Sequence, residues 1–330
     1  MQRITMLKQS ISRMCIALSA LVALSFGLSV AHAQGMDFSA AEINVLHVQD
    51  NVYMLVGPVG NTSVQIGEQG VIVVDTQFAE LSDRILAAIA SLTDKPIRYV
   101  INTHAHGDHI GGNEQIAQAG ITITAGNVAG AIADATEGAA IIAHENAFNT
   151  ILQADPPVPF RGWPTETFFV ARRDLHFNGE AIQLIHQPSA HTDGDILVYF
   201  RESDVISAGD LFVTTTYPFI DIANGGHING IIDAQNAILA IAVPEVRQEG
   251  GTYIIPGHGR LTDEADVLEI RDMLTIIRDR VQAMLDSGMS LRQVQAAQPT
   301  RDYDGRYGAD SGFWTTEQFV EAIYQNLSEQ

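Results

Sequence analysis

Cysteine is nearly absent from this sequence, since Cys15 is the only one among 330 residues. A disulfide within the chain needs two thiols, and a cysteine-based structural zinc site needs several thiolates, so the chain can form neither. Cys15 also lies in an N-terminal segment that we expect to be removed. The mature protein would then contain no thiolate, which excludes a cysteine nucleophile as well.

Positive charge is also scarce. The chain has 18 Lys and Arg residues against 39 Asp and Glu residues, which gives a formal net charge of −21. Such a charge argues against nucleic acid or an anionic membrane surface as a partner, so we expect a small-molecule substrate. The apolar fraction of 46% and the charged fraction of 17% are typical of a globular protein, and the length allows a sizeable core.

The first 33 residues have the pattern of a secretory signal peptide. Arg3, Lys8 and Arg13 precede the apolar run 15–30, and the small-residue motif AHAQ follows it. The run is shorter than the roughly 20 residues that a bilayer span needs, so we expect cleavage near Ala33 and no membrane anchor afterwards. Export of a chain without disulfides indicates a bacterial periplasmic or secreted protein.

Linkers, low-complexity stretches and fixed-period repeats are not found after Gln34. We therefore predict a single domain over 34–330, in which a helical cap begins at about residue 264. Successive short strands, followed in each half by helices, predict an α/β protein of the layered α+β type, with helices outside the sheets.

Apolar periodicity and the positions of Gly, Asn and Asp predict the individual elements. The expected strands lie within 43–57, 61–67, 70–76, 97–103, 121–124, 166–170, 174–177, 181–186, 195–200, 204–208 and 253–255. The expected helices are 80–92, 113–120, 128–148, 229–242, 264–286 and 315–327.

The stretch INTHAHGDHIGGN, residues 101–113, carries three histidines and an aspartate directly after a predicted strand. His104 and His106 are two residues apart, so on an extended backbone they point to the same side. Gly107 permits a sharp turn that would bring Asp108 and His109 back towards them. One loop could thus supply ligands to two neighbouring ions. A set of ligands made of imidazoles and carboxylates, without a thiolate, suits zinc, iron or manganese.

Three further candidate ligands stand at or just after the ends of other predicted strands. They are His191 in PSAHTDGD, Asp210 in SAGDLF and His258 in IPGHG. Each is flanked by small residues, where loops from a rigid sheet converge. Asp75, in VVDT, ends a neighbouring strand. It is either a partner that orients a ligand histidine or a simple turn residue.

The sequence THAHGDHIGGN resembles the HxHxDH motif of the metallo-β-lactamase superfamily, and AHTDGD, AGD and PGHG follow in that family's order. The resemblance spans nearly all of the mature chain. It implies an αββα four-layer sandwich with a dinuclear metal site in the cleft between the sheet edges. It also implies a first metal bound by His104, His106 and His191, a second bound by Asp108, His109 and His258, and Asp210 as the bridge.

This site implies hydrolysis. Two divalent cations about 3.5–4 Å apart lower the pKa of a bridging water towards neutrality, so hydroxide is available at pH 7. We expect two Zn²⁺ ions per chain, with iron or manganese as alternatives. The hydroxide would attack the carbonyl of a small ester, lactone, thioester or β-lactam, and Asp108 would be the catalytic residue that orients it.

Asp210 indicates which branch of the superfamily the chain resembles. The best-known β-lactamases of the family have a cysteine at this position, whereas lactonases and thioester hydrolases have an aspartate. The loop 211–230 contains no Lys or Arg to pair with an antibiotic carboxylate, so Asn224 or a backbone amide would have to replace it. A β-lactamase proper remains an alternative, as do an iron-dependent dioxygenase and a non-catalytic periplasmic metal-binding accessory protein.

Substrate contacts are expected from loops over the cleft, including the hairpin 57–62. For the aromatic residues, packing in the core or in a lid is the alternative. The candidate substrate-binding residues are Asn61, Trp163, Tyr217, Phe219, Asn224 and His227.

Overall fold

The computed structural model describes residues 36–122, 138–247 and 250–328. The predicted signal peptide, 1–33, lies outside the described residues and stays a prediction. Part of the predicted helix 128–148 and half of the predicted strand 121–124 also lie outside them. Within the described part of the chain, no helix combines the length and the apolar character that crossing a membrane requires.

The first sheet follows chain order from edge to edge. Its strands are β1 (Asn44–Gln49), β2 (Val52–Val56), β3 (Asn61–Gly67), β4 (Gly70–Val74), β5 (Ile97–Ile101), β6 (Ala140–His144) and β7 (Glu166–Phe168). The strands β1 to β4 pair antiparallel, and β4 to β7 pair parallel.

The second sheet has the order β12-β11-β10-β9-β8. Its strands are β8 (Arg172–Phe177), β9 (Glu180–His186), β10 (Ile196–Phe200), β11 (Val205–Gly209) and β12 (Tyr253–Pro256). All its pairs are antiparallel except β11 with β12, which is parallel.

The helices surround the sheets and mostly match the predicted ones. They are α1 (Ser82–Leu92), α2 (Gly107–Ile110), α3 (Asn113–Gln118), α4 (Glu145–Leu152), α5 (Ile228–Ile241), α6 (Glu264–Asp286), α7 (Leu291–Ala297), α8 (Asp304–Tyr307) and α9 (Thr316–Ser328). The bounds of α6 equal the predicted ones, because its apolar stripe is regular and Asp263 caps its first turn.

Strand β4 shows how the first sheet packs on both faces. Val71 and Val73 share an apolar cluster with Ile85 of α1. The alternate residues Ile72 and Val74 belong to a second cluster, which fills the space between the two sheets. This alternation follows from the two-residue period of a strand, and it requires a fully apolar sequence when both faces are covered.

Strand β11 does the same for the second sheet. Val205 faces the cluster between the sheets, whereas Ile206 and Ala208 pack with Ile231 of α5 and Leu274 of α6. The layers are therefore helix, sheet, sheet and helix, which confirms the predicted αββα sandwich. Helices α6 and α9 of the C-terminal region belong to the outer layer on the second sheet.

The predicted helix 128–148 is wrong over 140–144, whereas 145–148 are helical as predicted. Residues Ala140–His144 form β6, in which every residue is buried, and helix α4 starts only at Glu145. The alanine-rich composition favours a helix locally, but the position between β5 and β7 satisfies the backbone of this segment in a sheet. Helix α7 was not predicted, because its seven residues contain a single buried apolar side chain, Val294.

Candidate metal centre

The candidate ligands cluster because parallel strands end at one cleft. Asp75 follows β4 directly, His104 comes three residues after β5, Asp210 follows β11, and His258 comes two residues after β12. Gly209 has a φ of +50°, and a Cβ there would lie 2.4 Å from Thr103 Oγ1. Only glycine fits this close approach, which accounts for the small residue before Asp210.

The loop after β5 presents both ends of the histidine motif to this cleft. His106 keeps an extended backbone, with φ −71° and ψ 150°, and helix α2 begins at the next residue. Asp108 and His109 lie in the first turn of α2, so the turn expected at Gly107 takes the form of a short helix.

Three imidazoles form the first donor set. His104 Nε2 lies 3.1 Å from His106 Nδ1, and His191 Nε2 lies 2.9 Å from the same atom. The pKa of His104 lies well below its usual value, and that of His191 falls to about 4. Burial is the main cause of both shifts, and the charge of neighbouring histidines adds to it. Both rings are therefore neutral at pH 7.

Each imidazole of this set has a second ring nitrogen that points away from the other two rings, here called the outward nitrogen. All three outward nitrogens form hydrogen bonds with other residues of the chain. His106 Nε2 donates to Asp221 Oδ2 at 2.8 Å, and His191 Nδ1 donates to the carbonyl of Phe219 at 2.7 Å. Thr103 Oγ1 donates to Asp75 Oδ2, so its oxygen accepts a hydrogen bond from His104 Nδ1 at 3.1 Å.

Burial would lower the pKa of His106, but Asp221 raises it above its usual value, so positive charge is stabilised at this set. When each ring carries a single proton on its outward nitrogen, the three inward nitrogens present lone pairs to one another. Three acceptors at hydrogen-bonding distance repel unless a cation lies between them. The set therefore fits a divalent cation, and the outward hydrogen bonds fix which nitrogen is available to it.

The second donor set combines imidazole and carboxylate. His258 Nε2 lies 3.3 Å from Asp108 Oδ2 and 3.3 Å from Asp210 Oδ1. His109 Nε2 lies 3.3 Å from Asp210 Oδ1, while His109 Nδ1 donates to Asp75 Oδ2 at 2.8 Å. His109 Nε2 and Asp210 Oδ1 are buried and have no hydrogen-bond partner among the described residues. Such a pair of buried polar atoms without a partner also fits a cation.

The charges at the second set favour a cation too. Burial alone would raise the pKa of Asp210 and Asp108, yet the neighbouring imidazoles hold both values below their usual range. Burial alone would lower the pKa of His109 and His258, but these carboxylates raise the first well above its usual value and the second to about 10. Positive charge is thus strongly stabilised here.

The donor atoms define three overlapping groups, and within each group the atoms lie within 4.8 Å of one another. The groups are His104, His106 and His191; His104, His109 and Asp210; and Asp108, His109 and His258. The structure thus brings all seven predicted ligands into one cluster. Asp210 also approaches the first set, because its Oδ2 lies 3.7 Å from His191 Nε2.

Two aspartates orient ligand histidines from behind. The sequence left two interpretations of Asp75, a partner of a ligand histidine or a turn residue. The structure supports the first, because Asp75 accepts hydrogen bonds from His109 and from the amide of Thr103. Asp221 was missed. It is buried, it accepts from His106 and from Asn224 Nδ2, and its pKa is lowered, because His106 and Asn224 outweigh the effect of burial. The available signal was that Asp221 is the only acidic residue in the loop 211–230.

Two predicted substrate contacts, Phe219 and Asn61, lie beside the cluster in different ways. The ring of Phe219 lies 5.7 Å from those of His106 and His191 and lines the adjoining cavity. Asn61 is buried, and its Nδ2 donates to the carbonyls of Pro256 and Gly259 at 2.9 and 3.0 Å. Asn61 thus ties the hairpin to the loop of His258 instead of lining the cavity.

The other four predicted contacts have structural positions outside the cavity lining. Tyr217 is buried and donates to Asp304, and Trp163 donates through Nε1 to the carbonyl of Val158. Both rings therefore pack within the protein, which was the alternative interpretation to substrate contact.

Asn224 and His227 both act locally in the loop before α5. Asn224 Nδ2 donates to Asp221, and His227 Nδ1 accepts from the amide of Asn229 at the start of that helix. The structure gives Asn224 a contact that positions Asp221, and it makes His227 a helix cap.

The cavity in front of the cluster has a volume of about 440 Å³. The ionisable side chains that line it are those of His106, Asp108, Asp210 and His258. Part of its wall comes from 309–314, a segment between α8 and α9 that sequence reasoning did not connect with the site. A cleft with convergent ligands and a largely apolar wall is typical of an enzyme active site.

A four-layer αββα fold with this His/Asp cluster defines a metallo-hydrolase. A family model described as "Metallo-beta-lactamase superfamily" matches residues 56–258. The chain therefore belongs to this superfamily.

Relatives come from two kinds of hydrolase. The chain is 23% identical over 263 residues to the linear primary-alkylsulfatase of Pseudomonas sp. (strain ATCC 19151), covering 67% of this chain and 46% of the relative. It is 23% identical over 224 residues to the metallo-beta-lactamase type 2 of Bacillus cereus, covering 66% of this chain and 72% of the relative.

The solved structure of the sec-alkylsulfatase Pisa1 from Pseudomonas sp. has a similar fold. It superposes with a TM-score of 0.61 at 16% identity, over 86% of this chain and 50% of the other. The chain thus spans about half the length of the alkylsulfatases that it matches.

Proposed function

We propose that this protein is an exported di-zinc hydrolase that cleaves a small ester, lactone, thioester or β-lactam. The observation that carries the proposal is the joint presence of two adjacent donor sets linked by Asp210. In the first set three imidazole nitrogens face one another, and in the second His109 Nε2 and Asp210 Oδ1 have no hydrogen-bond partner among the described residues. A purely structural zinc site is closed by four ligands, whereas this cluster opens onto a cavity. Export rests on the signal peptide predicted at 1–33.

The division of ligands follows the two sets. The zinc ions would be held by His104, His106 and His191 on one side, by Asp108, His109 and His258 on the other, and by Asp210 between them. Bound there, zinc would supply a Lewis acid for the substrate oxygen and would lower the pKa of a water molecule towards neutrality.

The residues of the chain have their own parts in the reaction. Asp108 is at the cavity surface, where its carboxylate accepts a hydrogen bond from a water molecule and so aims it at the carbonyl carbon. Its low pKa keeps it ionised for this purpose. Asp75 and Asp221 keep the protons of His109 and His106 on the outward nitrogens. The apolar part of the cavity wall, which includes Phe219, excludes bulk water from one side of the cavity.

A second candidate reaction is the hydrolysis of alkyl sulfate esters. The names of two relatives favour it, and the match to Pisa1 covers 86% of this chain. The apolar part of the cavity wall also suits an alkyl chain.

The test is a substrate panel on protein whose metal content has been measured. Purified protein is assayed as isolated, after chelation and after zinc is restored, against nitrocefin, acyl-homoserine lactones, thioesters, carboxylic esters and dodecyl sulfate. Zinc-dependent turnover of an ester-type substrate is the expected result. If zinc-loaded protein turns over none of them, the hydrolase proposal is wrong. Iron in the isolated protein, with oxygen uptake, would point to the dioxygenase.

A further inference from the structure

An aromatic cluster forms the apolar wall of the cavity. The ring of Phe219 lies 5.0 Å from that of Phe313 and 4.8 Å from that of Trp314, with interplanar angles of 65° and 78°. These are edge-to-face contacts, which fix the orientation of aromatic rings. Because Phe219 also touches the histidines of the first donor set, the wall starts directly at the reaction centre.

This wall is anchored by contacts between two distant segments of the chain. Trp314 Nε1 donates to the carbonyl of Pro218 at 3.2 Å, and the amide of Tyr217 donates to the carbonyl of Tyr307 at 3.1 Å. The Tyr217 hydroxyl donates to Asp304 at 2.9 Å. The loop that follows Asp210 and the segment before α9 therefore hold each other in place, so the cavity has a preformed shape.

The charged groups of the cavity are confined to one end. The ionisable residues that line it are His106, Asp108, Asp210 and His258, all members of the donor cluster, and none of the described lining residues is a lysine or an arginine. Arg260, two residues beyond His258, is paired with Asp266 at 3.0 Å. A charged group lying against the aromatic wall would therefore lose water without gaining a partner of opposite charge.

We propose that the substrate arm remote from the reacting bond is uncharged and apolar, such as an unbranched acyl or alkyl chain, and that Phe219, Phe313 and Trp314 bind it. This inference rests on the proposed hydrolase function and names the chemistry of its substrate. A cavity of 440 Å³ equals about 15 water volumes of roughly 30 Å³, which sets the scale of the ligand. The net charge of −21 disfavours the approach of an anionic arm as well.

The test varies the length and the charge of the substrate arm on one leaving group, p-nitrophenol. Zinc-loaded protein is assayed with p-nitrophenyl acetate, butanoate and hexanoate, with the p-nitrophenyl monoester of hexanedioic acid and with p-nitrophenyl 6-aminohexanoate. We expect kcat/KM to rise about threefold per added methylene from acetate to hexanoate. The carboxylate and ammonium arms should both fall at least about 30-fold below hexanoate, because neither charge finds a partner at the wall.

Two variants and one control locate the effect in the aromatic wall. Phe313→Ala should remove most of the chain-length dependence, whereas Phe169→Ala, which removes a phenylalanine that is 78% exposed outside the cavity lining, should preserve it. Thr216→Lys adds a cation at an exposed position of the lining. It should raise the ratio of the carboxylate arm to the hexanoyl arm by about tenfold or more, since it supplies the missing partner.

A binding measurement separates this inference from the hydrolase proposal. In the variant Trp163→Phe, Trp314 is the only remaining tryptophan, so its fluorescence reports occupation of the wall without turnover. Hexanamide should change this fluorescence at concentrations at least about tenfold lower than hexanedioic acid monoamide does.

Equal or tighter binding of the charged amide, or turnover that prefers either charged arm, overturns the inference while hydrolysis stands. Selective binding of hexanamide without turnover of any ester means that the hydrolase proposal has failed. The wall then binds apolar ligands, but the assignment of a substrate arm falls with the reaction.

Discussion

His106 Nε2 donates a 2.8 Å hydrogen bond to Asp221 Oδ2, across 115 residues of sequence and inside a buried site. The bond fixes the proton on the outward nitrogen and leaves Nδ1 for the donor cluster. Asn224 donates to the same carboxylate oxygen and restricts its position. Asp221 is thus a positioning residue for a metal ligand.

Replacing Asp221 should weaken zinc binding without removing a ligand. We expect Asp221→Asn to raise the zinc Kd about 10- to 100-fold, because an amide accepts more weakly and no longer fixes the His106 ring. Competition with a chromogenic chelator measures this. Asp233→Asn, an exposed replacement of the same kind on α5, is the matched control. Unchanged zinc affinity in Asp221→Asn would show that the hydrogen bond has no effect on the site.

Replacing Asp210 should affect both donor sets at once. Its two carboxylate oxygens lie within 3.7 Å of His109, His191 and His258. Asp210→Ala should therefore lower the zinc content below two per chain and reduce kcat by at least about 100-fold. Metal analysis of the dialysed variant, together with its turnover number, gives the answer. Two zinc ions and unchanged activity would refute the bridging role.

Replacing Asn61 should destabilise the fold and displace His258. Asn61→Ala removes the donor to two carbonyls in the His258 loop, and it should lower the free energy of unfolding by about 2–3 kcal/mol. Asn149→Ala, at an exposed position of α4, should change it by less than about 0.5 kcal/mol. Denaturant unfolding of the zinc-loaded proteins compares them. Equal midpoints would contradict the tie between the hairpin and β12.

His144 gives a pH-dependent contribution to stability away from the metal cluster. Burial, followed by the charge of the stacked His186 ring 3.6 Å away, lowers its pKa to about 4 from 6.5. Between pH 4 and 6.5 the unfolded chain therefore binds a proton at His144 that the folded chain does not. The contribution of His144 to the free energy of unfolding rises over this range and is constant above it.

His144→Asn keeps an acceptor for the amide of Asn146 and removes the titration. The rise in the free energy of unfolding between pH 4 and 6.5 should shrink by about 1–2 kcal/mol relative to the parent protein. Denaturant titrations at a series of pH values measure both slopes. Parallel curves for the two proteins would show that His144 has no part in the acid response.

The seven donors were predictable because each stands near the end of a short element or in one dense motif. His104, Asp210 and His258 follow apolar runs whose length and β-branched content indicate buried strands. Parallel strands end on the same side of a sheet, so ligands at their ends meet without any knowledge of the loops. The same regularity predicted a layered protein with helices outside the sheets, and the family resemblance supplied the αββα order.

The remaining errors have a common physical origin, which is that tertiary contacts decide them. The segment Ala140–His144 has alanine-rich neighbours, and only its place between two strands makes it β6. Tyr217 and Trp314 carry no local sign of their partners, since each bonds to a segment more than 80 residues away. Aromatic residues near a motif therefore indicate a pocket wall without indicating which of them face the ligand.

Thr103 connects the two halves of the centre through a single rotatable hydroxyl. It accepts from His104, a member of the first donor set, and it donates to Asp75, which accepts from His109 of the second. The Nδ1 atoms of His104 and His109 are therefore both directed into one hydrogen-bonded group that ends on the Asp75 carboxylate. Asp75 thus holds the rings of both donor sets at once, so a change at this one carboxylate reaches both sides of the centre.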